Sequence, residues 1–270
     1  MVCFPNCKIN IGLYITSKRT DGYHNLETVF YPVTQLCDVL EAVSSSEPHI
    51  TLHGKAVAGD KYDNLVWKAY QLLKKDFPDI PSLSIHLLKN IPMGAGMGGG
   101  SADGAFMLRL LNDYCSLGLS NEALISYALQ LGSDCPFFVE NTPQYATGRG
   151  EEMQPISIDL SAYSIQIVCP QVHVSTAAAF KMITPKPAPF DLRELSTMPI
   201  NEWKDVVSND FEAPVFAQHP QLAAIKQQLY DAGAIYAAMS GSGSTVYGFF
   251  KKDGRAVVQS SVPYDEYYYK

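Results

Sequence analysis

A mixed α and β protein, forming one large domain or two modest ones, is what this sequence predicts. Three observations carry that expectation. A dense glycine loop at residues 94–100 stands between a strand-like and a helix-like segment. Segments of period two and period 3.6 interleave along the chain. After about residue 157 the texture changes, and a second glycine-rich turn at 240–245 joins two further strands. With 270 residues, 47% of them hydrophobic and 17% charged, the chain can bury a good core.

In order, Cys7-Lys8-Ile9-Asn10-Ile11-Gly12-Leu13-Tyr14-Ile15 reads as a strand. Ile9, Ile11, Leu13 and Ile15 fall on one face; Lys8, Asn10, Gly12 and Tyr14 fall on the other. Gly12 is expected to leave open space beside Lys8 and Asn10, a pair that also suits a plain solvated face. Next, Asp21-Gly22 signals a hairpin, with strands expected over 27–34 and 36–43. Tyr23-His24 just after the turn could stack on a flat base and hydrogen-bond its edge. Standing alone, such a pair is more often a loop packed on the sheet. A helix follows from about Leu65, capped by Asp63 or a neighbour, with Asn64 in its first turn and Lys74 and Lys75 at its end.

Leu83 to Leu87 alternates as a strand, and Pro92 stops it. Gly then fills five of the seven positions 94–100, more than a turn needs, since each Gly costs conformational entropy. Phe106, Met107, Leu110 and Leu111 recur at helical spacing, with Ser101 expected as N-cap and Asp103 in the first turn. Strand, glycine loop and helix N-terminus together suit a phosphate; a flexible hinge is the alternative. The loop lacks the lysine of a Walker A motif. It contains a literal G-x-G-x-x-G (Gly94, Gly96, Gly99), but no initial βαβ unit surrounds it.

A helix from Asn121 to Gln130, capped by Ser120, leads to Gly132-Ser133-Asp134-Cys135-Pro136. Asp134 is an acid in an apolar stretch, either an N-cap or a catalytic group. Residues 147–151 form a turn between two strands. Beyond 157 come a strand at 165–168, a helix at 175–182, a stiff proline-rich stretch at 184–189 and a helix at 221–230. The strands at 235–239 and 246–250 flank the second glycine turn. The tyrosine-rich tail shows no readable chemistry.

A net charge of −7, without any basic cluster, argues against nucleic acid as a main partner. No signal peptide or membrane-length apolar run is visible. Six cysteines without a C-x-x-C pair suggest buried thiols in a reducing cytoplasm, not a zinc site.

Pro5…Lys8-Ile9-Asn10, Asp21-Gly22-Tyr23-His24, the glycine loop, Leu131-Gly132-Ser133-Asp134…Pro136-Phe137-Phe138 and Ser240-Gly241-Ser242-Gly243-Ser244-Thr245 occur in one order. That series resembles the GHMP superfamily and, through Asp-Gly-Tyr-His, its family of 4-diphosphocytidyl-2-C-methyl-D-erythritol kinases of non-mevalonate isoprenoid synthesis. The resemblance implies a two-domain α+β fold with domains over 1–156 and 157–270 and the active site in the cleft between them. It implies ATP and Mg²⁺ as cosubstrates and a small cytidine-diphosphate-linked acceptor whose hydroxyl is phosphorylated. By position it implies Asp134 as base and Lys8 as its catalytic partner. It places the nucleotide on Pro92, Met93, Gly94, Ala95, Gly96, Met97, Gly98, Gly99, Gly100, Ser101, Ala102 and Asn64. Tyr23, His24 and Asn10 fall to the acceptor substrate, and no residue is assigned to a metal. The chain departs from the pattern by an extra residue at Asn6, by Cys7 for an alanine, Ala102 for a serine and Cys135 for a valine, and Asp103 would repel a triphosphate unless it turns away. Homoserine- or mevalonate-type kinases and a non-catalytic nucleotide sensor are the competing readings.

Overall fold

The computed structural model describes residues 1–270, which pack as two compact units. One holds Met1–Lys8, Pro32–Met93 and Gly98–Thr142; the other holds Ile9–Tyr31, Gly94–Met97 and Pro143–Lys270. The units interleave along the chain, a different cut from a linear one at residue 156.

The chain opens with β1 (Val2–Cys3), β2 (Asn6–Lys18), β3 (His24–Cys37), β4 (Val39–Ser44) and β5 (His49–Gly54). Then come α1 (Leu65–Asp76), β6 (Leu83–Lys89), α2 (Gly99–Tyr114), α3 (Asn121–Leu131) and α4 (Cys135–Glu140). It continues through β7 (Gln144–Thr147), β8 (Glu152–Pro155), β9 (Tyr163–Pro170), α5 (Thr176–Lys181) and α6 (Ile200–Val206). The last elements are α7 (Glu212–Gln218), α8 (Pro220–Asp231), β10 (Tyr236–Met239), β11 (Val246–Lys251) and β12 (Tyr264–Tyr269).

The first unit contains a sheet of order β1-β4-β6-β5, antiparallel except for the β5–β6 pair. Its helices are fixed by periodicity: α1 buries Val66, Ala69, Tyr70 and Leu73, a single stripe. Gly104 of α2 lets α1 approach closely, since a Cβ there would lie 3.0 Å from Leu65 Cβ. α4 packs against α2 and α3.

In the second unit a sheet of order β10-β11-β9-β12 is antiparallel throughout. Helix α8 covers it with Leu222, Ile225 and Leu229, which join Val246 and Phe250 in one core. A further sheet has the order β2-β3-β7-β8, with the expected 147–151 turn joining β7 to β8.

Several elements differ from expectation. Residues 24–37 form one long strand, and β4 begins after a break at Asp38. Both faces of β2 are buried as far as Ile15, which removes the solvated-face reading of Lys8 and Asn10. Gly12 opens no space: it sits at φ +66°, and a Cβ there would lie 2.6 Å from Leu192 Cδ2. The tail becomes β12, registered against β9. Helices α6 and α7 had no strong periodic signal because each is only seven residues long.

Candidate active site

Lys8 stands near the start of β2 with its side chain only 5% exposed. Its Nζ lies 3.5 Å from Asp134 Oδ2. Burial pulls the Lys8 ammonium below the usual lysine range, and the Asp134 carboxylate pulls the other way. Asp134 occupies the N-cap position of α4, yet its side chain makes no capping hydrogen bond. The carboxylate is therefore turned to the lysine and keeps 37% exposure.

The glycine loop meets this pair at Gly98. That residue, and not Ser101, is the N-cap of α2, in the left-handed region at φ 68°. A Cβ at Gly98 would lie 3.2 Å from both Cγ and Cε of Lys8 and 3.0 Å from Phe138 Cζ. Only glycine gives both the backbone conformation and room for the lysine stem. Ser101 is the third residue of α2, so Gly99, Gly100 and Ser101 carry amides without an acceptor in their own helix. Burial pushes the nearby Cys135 thiol up to about 12, with Ser101 pulling the other way. That thiol is inert packing beside Asp134.

Other expected nucleotide residues are placed differently. Ala102 is fully buried, and its N–H donates to Gly98 O at 2.9 Å, so it has nothing to offer a phosphate. Ala95 and Met97 are buried apolar side chains, whereas Met93 is 44% exposed. Pro92 is partly buried ahead of the loop, and Gly94 has open space around it. Asn64 lies just outside α1 as its N-cap, its Oδ1 accepting from Val66 N at 2.9 Å. Asp103 lies beyond the first turn of α2, and its Oδ2 accepts from Lys89 Nζ at 2.6 Å.

In the second unit the loop's apex docks on the 240–245 turn. Ser240 Oγ donates to Gly96 O at 2.7 Å, and Thr245 N donates to Ala95 O at 3.1 Å. A Cβ on Gly96 would lie 2.1 Å from Ser240 O, so no larger residue fits this approach. Asn209 Nδ2 holds the turn by donating to Met239 O and Gly241 O, both at 2.8 Å. Asn10 belongs to the same assembly: its N–H donates to Ser240 Oγ and its Nδ2 to Thr28 Oγ1. Tyr247 donates its hydroxyl hydrogen to Asn10 O at 2.7 Å.

Tyr23 is 57% exposed, with the Arg149 guanidinium 5.2 Å from its ring centroid. The His24 ring stacks on Phe180 at 5.0 Å and 18°. Phe180 in turn meets Phe211 edge-on. Arg149 and Phe180 escaped the sequence reading. Arg149 sat in what looked like a simple turn between two glycines, and Phe180 in an alanine-rich helix with no chemical signal.

The comparisons agree with one another. The model of the GHMP kinases N terminal domain matches residues 64–141, and that of the GHMP kinases C terminal matches 194–266. A 4-diphosphocytidyl-2-C-methyl-D-erythritol kinase of Bacteroides thetaiotaomicron is 52% identical over 258 residues, 94% of this chain and 93% of the relative. That of Parabacteroides distasonis is 50% identical over 252 residues, 93% of this chain and 92% of the relative. A crystal structure of 4-(cytidine 5'-diphospho)-2C-methyl-D-erythritol kinase matches with TM-score 0.75 and 29% identity, covering 92% of this chain and 89% of that one. A mevalonate kinase from Methanococcus jannaschii shares the fold at TM-score 0.68 and 13% identity. The chain belongs to the GHMP kinases and, within them, to the 4-diphosphocytidyl-2-C-methyl-D-erythritol kinase family, an α+β kinase fold.

Proposed function

We propose that the chain transfers the γ-phosphoryl group of ATP to a hydroxyl of 4-diphosphocytidyl-2-C-methyl-D-erythritol, with Asp134 and Lys8 as the reacting pair. One observation carries this reading: a buried lysine faces a carboxylate that caps no helix, beside the N-terminal glycine of α2. Asp134 takes the proton of the acceptor hydroxyl as its oxygen attacks the γ-phosphorus. The bond from the γ-phosphorus to the bridging oxygen breaks, and ADP leaves. The Lys8 ammonium offsets negative charge on the transferred group.

The triphosphate is assigned to the loop Gly94–Ser101, where helix amides and open glycine positions favour an anion. Mg²⁺ is proposed to enter with the nucleotide. When bound, it would offset negative charge on the phosphates, and no side chain is assigned to hold it. The cytosine is assigned to Tyr23 and His24. The exposed Tyr23 ring offers a stacking face, and the Phe180 stack fixes the His24 imidazole for an edge contact. No helix is long and apolar enough to cross a membrane.

The test is ATP turnover with 4-diphosphocytidyl-2-C-methyl-D-erythritol, its uridine analogue, mevalonate and homoserine offered separately. Turnover confined to the cytidine compound is expected. Preference for mevalonate or homoserine would move the chain to another branch, and equal use of cytidine and uridine acceptors would remove the base assignment. ATP binding without turnover on any acceptor would leave a nucleotide sensor.

A further inference from the structure

Beside the glycine loop lies a buried charge cluster that the reaction as described does not use. Lys89, the last residue of β6, donates from Nζ to Asp38 Oδ2 and to Asp103 Oδ2. All three side chains are at most 1% exposed. Asp38 Oδ1 also accepts from the N–H groups of Asn90 at 2.6 Å and Ile91 at 2.9 Å, the residues that lead from β6 into the loop. Asp103 stands on α2, just after the loop. One lysine thus ties the entry of the loop to its exit.

The charges do not balance. Two carboxylates and one ammonium would leave a net negative charge out of contact with water. Asp103 Oδ1 is moreover buried without a hydrogen-bond partner, a costly arrangement for an ionised oxygen. Burial pushes the Asp103 carboxyl well above its usual range; Lys89 opposes that shift and Asp38 reinforces it. Cys3 of β1 feels the charges of both Asp103 and Arg109 of α2.

We infer that Asp103 keeps its proton in the folded protein, so that Asp38, Lys89 and Asp103 form a neutral clamp positioning both ends of the phosphate loop. Asp38, bonded to the same Lys89 ammonium, is the negative charge that favours keeping that proton. The three are positioning residues, since none is assigned to substrate. The inference rests on reading the loop as the ATP phosphate site, but its first test does not involve ATP.

That test is NMR of the whole protein carrying ¹³C-labelled aspartate carboxyls. One carboxyl signal should remain in its protonated position at pH 7 and vanish in Asp103→Asn. If every aspartate is ionised at pH 7, the inference fails. The second test is kinetic. Asp103→Asn preserves a neutral acceptor for Lys89 with no proton to lose, so its KM for ATP and its Tm should stay close to those of wild type. Lys89→Met strands the Asp38 charge and frees the loop. Its KM for ATP should rise by about 10- to 100-fold, the effect of a misplaced binding group, with kcat less affected. A folded Lys89→Met protein with wild-type KM for ATP would reduce the cluster to scaffolding, and an Asp103→Asn protein as impaired as Lys89→Met would show that Asp103 acts ionised. If Gly98→Val left ATP binding intact, the phosphate-site reading would fall, whereas the NMR result would still decide the proton.

Discussion

At the scale of the residue, Asp134 and Lys8 divide the work by their exposure. Asp134 is open enough to meet an incoming hydroxyl, while Lys8 is buried. Asp134→Asn should fold normally and lose about 10²- to 10⁴-fold in kcat, the weight of a general base. Near-normal kcat would return Asp134 to a structural role. Lys8 predicts a pH effect. Its folded pKa is lowered, mainly by burial, so the ammonium is lost at a pH below that of an ordinary lysine. Activity should therefore fall on the alkaline side earlier than a solvent-exposed lysine would allow. Stability moves the other way: between the lowered folded value and the usual 10.5 the unfolded chain binds more protons, and folding gains with pH. Kinetic pH profiles of wild type and Lys8→Arg separate these effects, because arginine stays charged throughout. An identical alkaline limb in a Lys8→Arg enzyme that retains measurable turnover would mean that another group sets it.

At the scale of the element, the glycine loop behaves as a set of positions with separate demands. Gly98 needs a left-handed backbone and contact with Lys8, whereas Gly94 needs only the backbone, with nothing within 4 Å of its missing Cβ. Gly98→Val should therefore abolish ATP binding and turnover together. Gly94→Ala should cost about 1–2 kcal/mol of strain and leave the KM for ATP within a few-fold. Isothermal titration of both variants checks this, and equal losses would show that backbone shape alone matters. The loop was legible in the sequence because glycine density is visible in one dimension. So was Asp134, an acid inside an apolar run, and so was β2, whose alternation is regular. The helix start was misplaced from Gly98 to Ser101 because a serine cap has a composition signal and a left-handed glycine has none. The Asp38–Lys89–Asp103 cluster was unreadable for a different reason. Its members are ordinary charged residues, and what distinguishes them is the partner that β6 and α2 bring to each. The His24–Phe180 stack was hidden in the same way.

For the whole molecule, the proposed roles are separable through stability, because a ligand that binds only the folded state stabilises it by mass action. A nucleotide at a hundred times its Kd should add about 2.7 kcal/mol. For a chain of this size that is an upward shift in Tm of about 5–10 °C. A non-hydrolysable ATP analogue should produce that shift in wild type and in Asp134→Asn, since the base acts on the acceptor and not on nucleotide affinity. Gly98→Val should show none, because the loop can no longer receive phosphate. Tyr23→Ala should keep the full shift with the ATP analogue and lose between about a third and nine tenths of the shift with cytidine diphosphate. A ring stacked on a base contributes roughly 1–3 kcal/mol, which is a 5- to 150-fold change in affinity. The pattern of three variants against two ligands is thus a map of the molecule: base-recognition residues answer to one ligand, loop residues to the other, and the catalytic carboxylate to neither. If Tyr23→Ala instead lost the shift with the ATP analogue and kept that with cytidine diphosphate, the adenine and cytosine assignments would have to be exchanged.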